Sequence, residues 1–146
     1  MKKNTISILE LLKEGKTVQI KPQGYSMYPM FVPGRDSAII VKAQTDKVKR
    51  GDVVLYRRDE GTIVLHRIWK IKKDGVYLIG DNQSLIEGPL RMDQIKGVLA
   101  AFIRKGKTTR VDNLFYRMVS AVWLALRPFR NSIKRVYSRL HKILYF

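Results

Sequence analysis

Cysteine is absent from the 146 residues, which excludes a disulfide framework, zinc–thiolate sites and a cysteine nucleophile. Histidine is scarce, with only His66 and His141 available as side chains that titrate near neutrality. Acidic charge is also thin: 12 Asp and Glu stand against 29 Lys and Arg, a formal net charge of +17. That excess concerns partners rather than fold, and points to anionic lipid, nucleic acid or an acidic substrate. Long apolar runs are missing as well. Met1-Lys2-Lys3-Asn4-Thr5 leads into an amphipathic stretch broken by Lys13, Glu14 and Lys16. Neither the apolar core of a signal peptide nor the roughly 18 apolar residues of a spanning helix is there. A cytoplasmic or peripherally membrane-bound chain is therefore expected. No cofactor motif and no metal-ligand cluster is found, so neither group is expected.

What is present suffices for one folded domain: 45% of the residues are apolar, too many for a disordered chain. Residues 4–14 read as a helix, capped by Asn4 or Thr5, with Ile6, Ile8, Leu9, Leu11 and Leu12 on a broad apolar face and Gly15 ending it. Short strands then recur: 18–21, 37–42, 53–57, 62–71, 76–80 and 95–103, separated by Gly- and Asp-bearing turns. Residues 81–91 look like a loop. This spacing predicts a mainly β domain, a compact antiparallel barrel or sandwich. From Asn113 the character changes to two helices, 114–127 and 131–145, interrupted by Pro128. Ile133, Val136, Tyr137, Leu140, Ile143 and Leu144 fall on one side of the second, with Lys134, Arg135, Arg139 and Lys142 largely elsewhere. Such a pair suits an anionic membrane interface or a cap over an open end of the barrel. The division expected is 1–106 for the β domain and 107–146 for a basic helical tail.

One stretch carries chemistry. In Gly24-Tyr25-Ser26-Met27-Tyr28-Pro29-Met30, Gly24 opens backbone angles closed to other residues and Pro29 forbids a regular continuation. A hydroxyl can be held there in one exposed orientation. Serine is a weak nucleophile without a base in reach, and His66, in the strand-like run Thr62-Ile63-Val64-Leu65-His66-Arg67-Ile68, is the candidate base. Met27 and Met30 are apolar contacts beside the serine that line a substrate groove. Asp52 reads as a turn residue, and His141 as an exposed residue of the basic tail.

Five segments occur in one order: Gly24-Tyr25-Ser26-Met27-Tyr28-Pro29, Arg50-Gly51-Asp52-Val53-Val54, Leu65-His66-Arg67, Gly80-Asp81-Asn82 and Ile95-Lys96-Gly97-Val98. Over about residues 18–106 this ordered set resembles the signal peptidase I family, within the wider group that includes the LexA-like self-cleaving repressors. Most bacterial signal peptidases and the repressors use lysine where this chain has His66. The archaeal and endoplasmic-reticulum type uses histidine followed by arginine, as in His66-Arg67, so the chain looks like the Ser-His branch.

The resemblance implies the β catalytic domain of that group and a serine endopeptidase. Ser26 would be the nucleophile, His66 the general base and Asp81 the carboxylate that orients the imidazole. The oxyanion hole would be the backbone N–H groups of Ser26 and Tyr25. Gly24 stands where bacterial members often carry a side-chain hydroxyl. The substrate implied is an exported or leader-type peptide, cut at a membrane surface. Two features depart from the group: the 25 residues before Ser26 hold no spanning anchor, and there is no room for a DNA-binding module. The alternatives are a non-catalytic basic domain holding anionic lipid or nucleic acid, and a self-cleaving protein. Basic–aromatic interleaving of an RNA-binding kind is not evident in the strands, and nucleic acid is not expected as a partner.

Overall fold

Runs of β-branched and aromatic residues, broken by glycine-bearing turns, fold into a single antiparallel sheet. The computed structural model describes the backbone of residues 2–144 and the side chains of 8–144. In chain order the elements are α1 (Lys2–Lys13), β1 (Val18–Ile20), β2 (Asp36–Lys42), β3 (Val53–Arg57), β4 (Ile63–Lys72), β5 (Gly75–Ile79), β6 (Glu87–Leu90), β7 (Ile95–Arg104), β8 (Lys107–Arg110), α2 (Leu114–Ala125) and α3 (Arg130–Leu144). Across the sheet the order is β1-β2-β7-β3-β4-β5-β6, with β8 added to β7. The mainly β architecture is the one the strand spacing predicts.

Both faces of the sheet's middle are covered, which is why β3 is apolar at successive positions. Val53 and Leu55 join a cluster with Leu12, Met27, Phe31, Ile40, Leu65 and Tyr116. Val54 and Tyr56, pointing the other way, join Ile68, Val76, Leu78 and Ile95. The helix α1 contributes Leu12 to the first cluster and ends where Gly15 takes φ +81°. There the Lys16 N–H donates to the Leu11 carbonyl and the Gly15 N–H to that of Leu12, the usual glycine closure of a helix. α1 begins at Lys2, so Asn4 and Thr5, expected as its cap, lie within the helix; the Ile6 side chain lies outside the described side chains, and residue 145 lies outside the described residues.

Two strands depart from expectation. β6 lies inside the stretch read as loop, because Gly88-Pro89 signals a break. Pairing only with β5 at the sheet edge, it tolerates a proline there, which an inner strand would not. β8 continues the sheet past residue 106. The turn before it, Lys105 and Gly106 at φ 51° and 76°, is a two-residue hairpin connection written without the usual Asn-Gly. Lys107–Arg110 therefore belongs to the sheet and not to the tail.

The tail both covers and is left uncovered. Asn113 caps α2, its side chain accepting from the Tyr116 N–H at 3.2 Å, and Tyr116, Ser120 and Leu124 turn inward at helical spacing. Arg127–Phe129 makes one 3-10 turn around Pro128. In α3 only Arg130 is buried, and the apolar side of the helix lies open.

Candidate active site

The Ser26 turn is held from below. Met27, 3% exposed, and Phe31 anchor it in the first core cluster, and Gly24 sits at φ +73°, where an L side chain is strained. Backbone bonds from Tyr28 N–H to the Tyr25 carbonyl (3.1 Å) and from Phe31 N–H to the Met27 carbonyl (2.9 Å) close the turn. Ser26 itself is half-buried. It opens on a groove of about 480 Å³, walled by Ile20 and Gly24 on one side and Ile63 and Leu65 on the other, with Met27 in the lining. Met30, expected in the groove, packs against the core instead, its carbonyl accepting from Arg104 Nη2 at 2.9 Å. Among the described residues the Tyr25 and Ser26 N–H groups form no hydrogen bond, which leaves both available as oxyanion donors.

His66 stands on β4 and is not among the residues that line this groove. Arg67 pairs with Ile79 across the β4–β5 ladder, and one further step sets Gly80 beside His66. A Cβ on Gly80 would stand 2.6 Å from the Ser26 carbonyl oxygen. The bare glycine thus lets the serine turn lie against the strand pair that carries the histidine. The Asn82 N–H donates to that same carbonyl at 2.9 Å. The Ser26 hydroxyl and the His66 ring form no hydrogen bond among the described residues; catalytic bonds of this kind often close only on substrate.

The imidazole is buried, at 4% exposure, and faces Tyr56, which lies diagonally across the β3–β4 ladder on the same face. Tyr56 Oη and His66 Nδ1 are 3.1 Å apart. The Tyr56 hydroxyl also donates to Glu87 Oε2, and Arg58 clamps Glu87 with Nε on Oε1 (2.7 Å) and Nη2 on Oε2 (3.0 Å). Burial pushes His66 below its ordinary pKa, against upward pulls from Glu87 and Asp81 and with a downward push from Arg58. Burial and the Glu87 bond push the Tyr56 phenol well up. The hydrogen bond from Arg58 holds Glu87 down, against burial. The chain Arg58–Glu87–Tyr56–His66 thus ends in an imidazole whose neutral form is favoured.

Asp81 stands elsewhere than expected. Both of its oxygens accept from the Arg67 fork, Oδ1 from Nε and Oδ2 from Nη2, each at 2.8 Å, and both side chains are fully buried. No hydrogen bond joins Asp81 to the imidazole, whose Nδ1 meets Tyr56 instead, and Asp81 acts on His66 through its charge. Arg67 Nη1 also donates to the Gly51 carbonyl at 2.8 Å, tying β4 to the neighbouring turn. Asp52, in that turn, accepts from the Lys49 N–H at 2.9 Å, the structural role expected of it. His141 is exposed on α3, its ring 6.0 Å from that of Tyr137.

The loop at 80–84 is gripped from the tail, which the sequence did not foretell. Arg130 Nη1 donates to the carbonyls of Gly80 (3.2 Å) and Gln83 (3.0 Å), and Nη2 to that of Trp123 (3.2 Å). Trp123 Nε1 donates to the Asp81 carbonyl at 2.9 Å, and Lys134 Nζ to that of Asn82. Tyr56 and Glu87 were missed too. Hairpin counting around Glu60 would have set Tyr56 diagonal to His66, but nothing local links Glu87 to either.

The chain matches the family described as Peptidase S24-like over residues 3–100. It is 34% identical over 84 residues to signal peptidase I W of Bacillus subtilis (strain 168), a match that covers 53% of this chain and 43% of that protein. The chain thus spans less than half the length of that relative. No solved structure matches it.

Proposed function

The chain belongs to the Peptidase S24-like family, and from that premise we propose that it is a serine endopeptidase working through Ser26 and His66. Ser26 Oγ attacks the peptide carbonyl while His66 takes its proton; the imidazolium then gives that proton to the leaving amine as the C–N bond breaks. Water, activated by the same imidazole, hydrolyses the acyl-serine. The Ser26 and Tyr25 N–H groups stand ready for the oxyanion. A peptide in extended form fits the groove between Ile20–Gly24 and Ile63–Leu65, held by main-chain bonds in the manner of an added strand. The substrate class we assign is an exported or leader-type peptide met at an anionic membrane surface. The exposed apolar side of α3 and its lysines and arginines support that setting.

The observation that carries the reading is the approach at Gly80, which lays the serine turn against the pair of strands bearing a buried, neutral histidine. The test is digestion of a peptide library by wild type and Ser26→Ala, read by mass spectrometry with and without anionic vesicles. Loss of about 10³-fold or more in cleavage by Ser26→Ala is expected. A variant that cuts as well as wild type would sink the mechanism.

A further inference from the structure

A base that accepts a proton from serine must present a bare ring nitrogen. Which nitrogen of a neutral histidine is bare depends on what the other one meets. In the Ser-His-Asp arrangement a carboxylate oxygen accepts the Nδ1–H and settles the question. Here the aspartate expected for that task is taken by Arg67, and Nδ1 meets a phenol instead. A phenol can donate as well as accept, so by itself it leaves the tautomer open.

Glu87 removes that freedom. Its carboxylate is ionised under the Arg58 fork and can only accept, so the single Tyr56 hydroxyl proton goes to Glu87. Turning that proton toward His66 would set the phenol oxygen lone pairs against the carboxylate in a buried place. The phenol oxygen then has only lone pairs left for His66, and the imidazole nitrogen opposite it must carry the hydrogen. Resting on the reading of His66 as the base, we propose that Tyr56, held by Glu87, is the positioning residue that fixes His66 as its Nδ1–H tautomer and leaves Nε2 bare for the Ser26 proton.

The arrangement differs from a direct aspartate in charge as well as in geometry. The Glu87 negative charge reaches the imidazole through a neutral phenol and is countered by Arg58. The other charged group acting on the ring is Asp81, in the loop after β5, whose charge is paired with that of Arg67. The ring is therefore oriented without being made markedly more basic.

The test reads the tautomer directly, with no substrate present. In nitrogen-labelled protein, long-range proton–nitrogen correlation NMR at a pH above the His66 titration distinguishes the two neutral forms. Wild type is expected to show Nδ1–H with Nε2 bare. Tyr56→Phe, which removes the acceptor and keeps the ring, is expected to revert to the Nε2–H form that free imidazole prefers. Its kcat should fall about 10²-fold with KM within about twofold, because the wrong nitrogen now faces the serine. Nε2–H in wild type, or an unchanged tautomer or kcat in Tyr56→Phe, overturns the inference. If Tyr56→Phe does not fold, the wild-type spectrum decides alone. A protein that shows the expected tautomer and cuts no peptide would defeat the peptidase reading while leaving the positioning intact.

Discussion

As the proposed base, His66 would set the working pH of the site through its burial. A free imidazole titrates near 6.5, and burial moves His66 below its ordinary value despite the pull of Glu87 and Asp81. In the proposed mechanism the competent form is the neutral one. It therefore survives to lower pH than it would in an exposed histidine, and protonation removes activity only further into the acid range. The acidic limb of kcat/KM is expected to have its midpoint below about 6.5, with kcat/KM rising as pH rises through it. A stopped-time peptide assay across the acid range measures this, and a midpoint above that value would contradict a buried base. Both Tyr56 and Glu87 were invisible at this scale in the sequence. A tyrosine in a strand and a glutamate beside Gly88-Pro89 are ordinary residues until the β3–β4 and β5–β6 ladders bring them to one histidine.

At the scale of elements, a buried ion pair joins β4 to the loop after β5. Arg67 and Asp81 are both fully buried, joined by two bonds of 2.8 Å. Removing one charge strands the other in a medium of low dielectric, which typically costs about 3–5 kcal/mol, whereas replacing both with well-packed apolar residues is often close to neutral. Asp81→Asn is expected to lose stability of that order in urea unfolding, and the double variant Arg67→Met, Asp81→Leu to lose much less. Equal losses in both would mean that the cost lies in losing the bonds of the pair itself and not in a stranded charge. The helices add a second grip on the same loop through Arg130 and Trp123. Tail and active-site turn are thus mechanically joined, since the loop's Asn82 also holds the Ser26 carbonyl. Most strand and helix positions, though not β6 and β8, followed from local periodicity in the sequence. The loop after β5 did not, because its partners lie from 14 to more than 50 residues away.

At the scale of the molecule, apolar surface and positive charge are gathered in the same place. Phe115, Tyr137, Leu140, Ile143 and Leu144 are exposed along α2 and α3, and Tyr25 adds an exposed ring on the serine turn. Among the described residues no helix is long and apolar enough to cross a membrane. An amphipathic helix of this kind lies in the interface plane, and basic residues near an anionic surface add about 1 kcal/mol each. Vesicles containing phosphatidylglycerol are expected to co-sediment the protein, while phosphatidylcholine vesicles hold it weakly. Binding should weaken with added salt, and Leu140→Glu should lower it about tenfold or more. Equal binding to both lipids would remove the electrostatic part of this picture.

Sequence alone determined the class of fold, most of the elements and the serine turn, and pointed to a candidate base, because these rest on contacts within a few residues or on motifs in fixed order. Gly24, Ser26 and the strand bearing His66 are of that kind. Tertiary structure alone decided what each charged group meets. It gave Asp81 to Arg67, gave His66 to Tyr56 and Glu87, and docked Arg130 on the loop behind the serine. The physical reason is that a buried polar group must find a partner wherever the packed chain supplies one, and that choice is made across the sheet rather than along the chain.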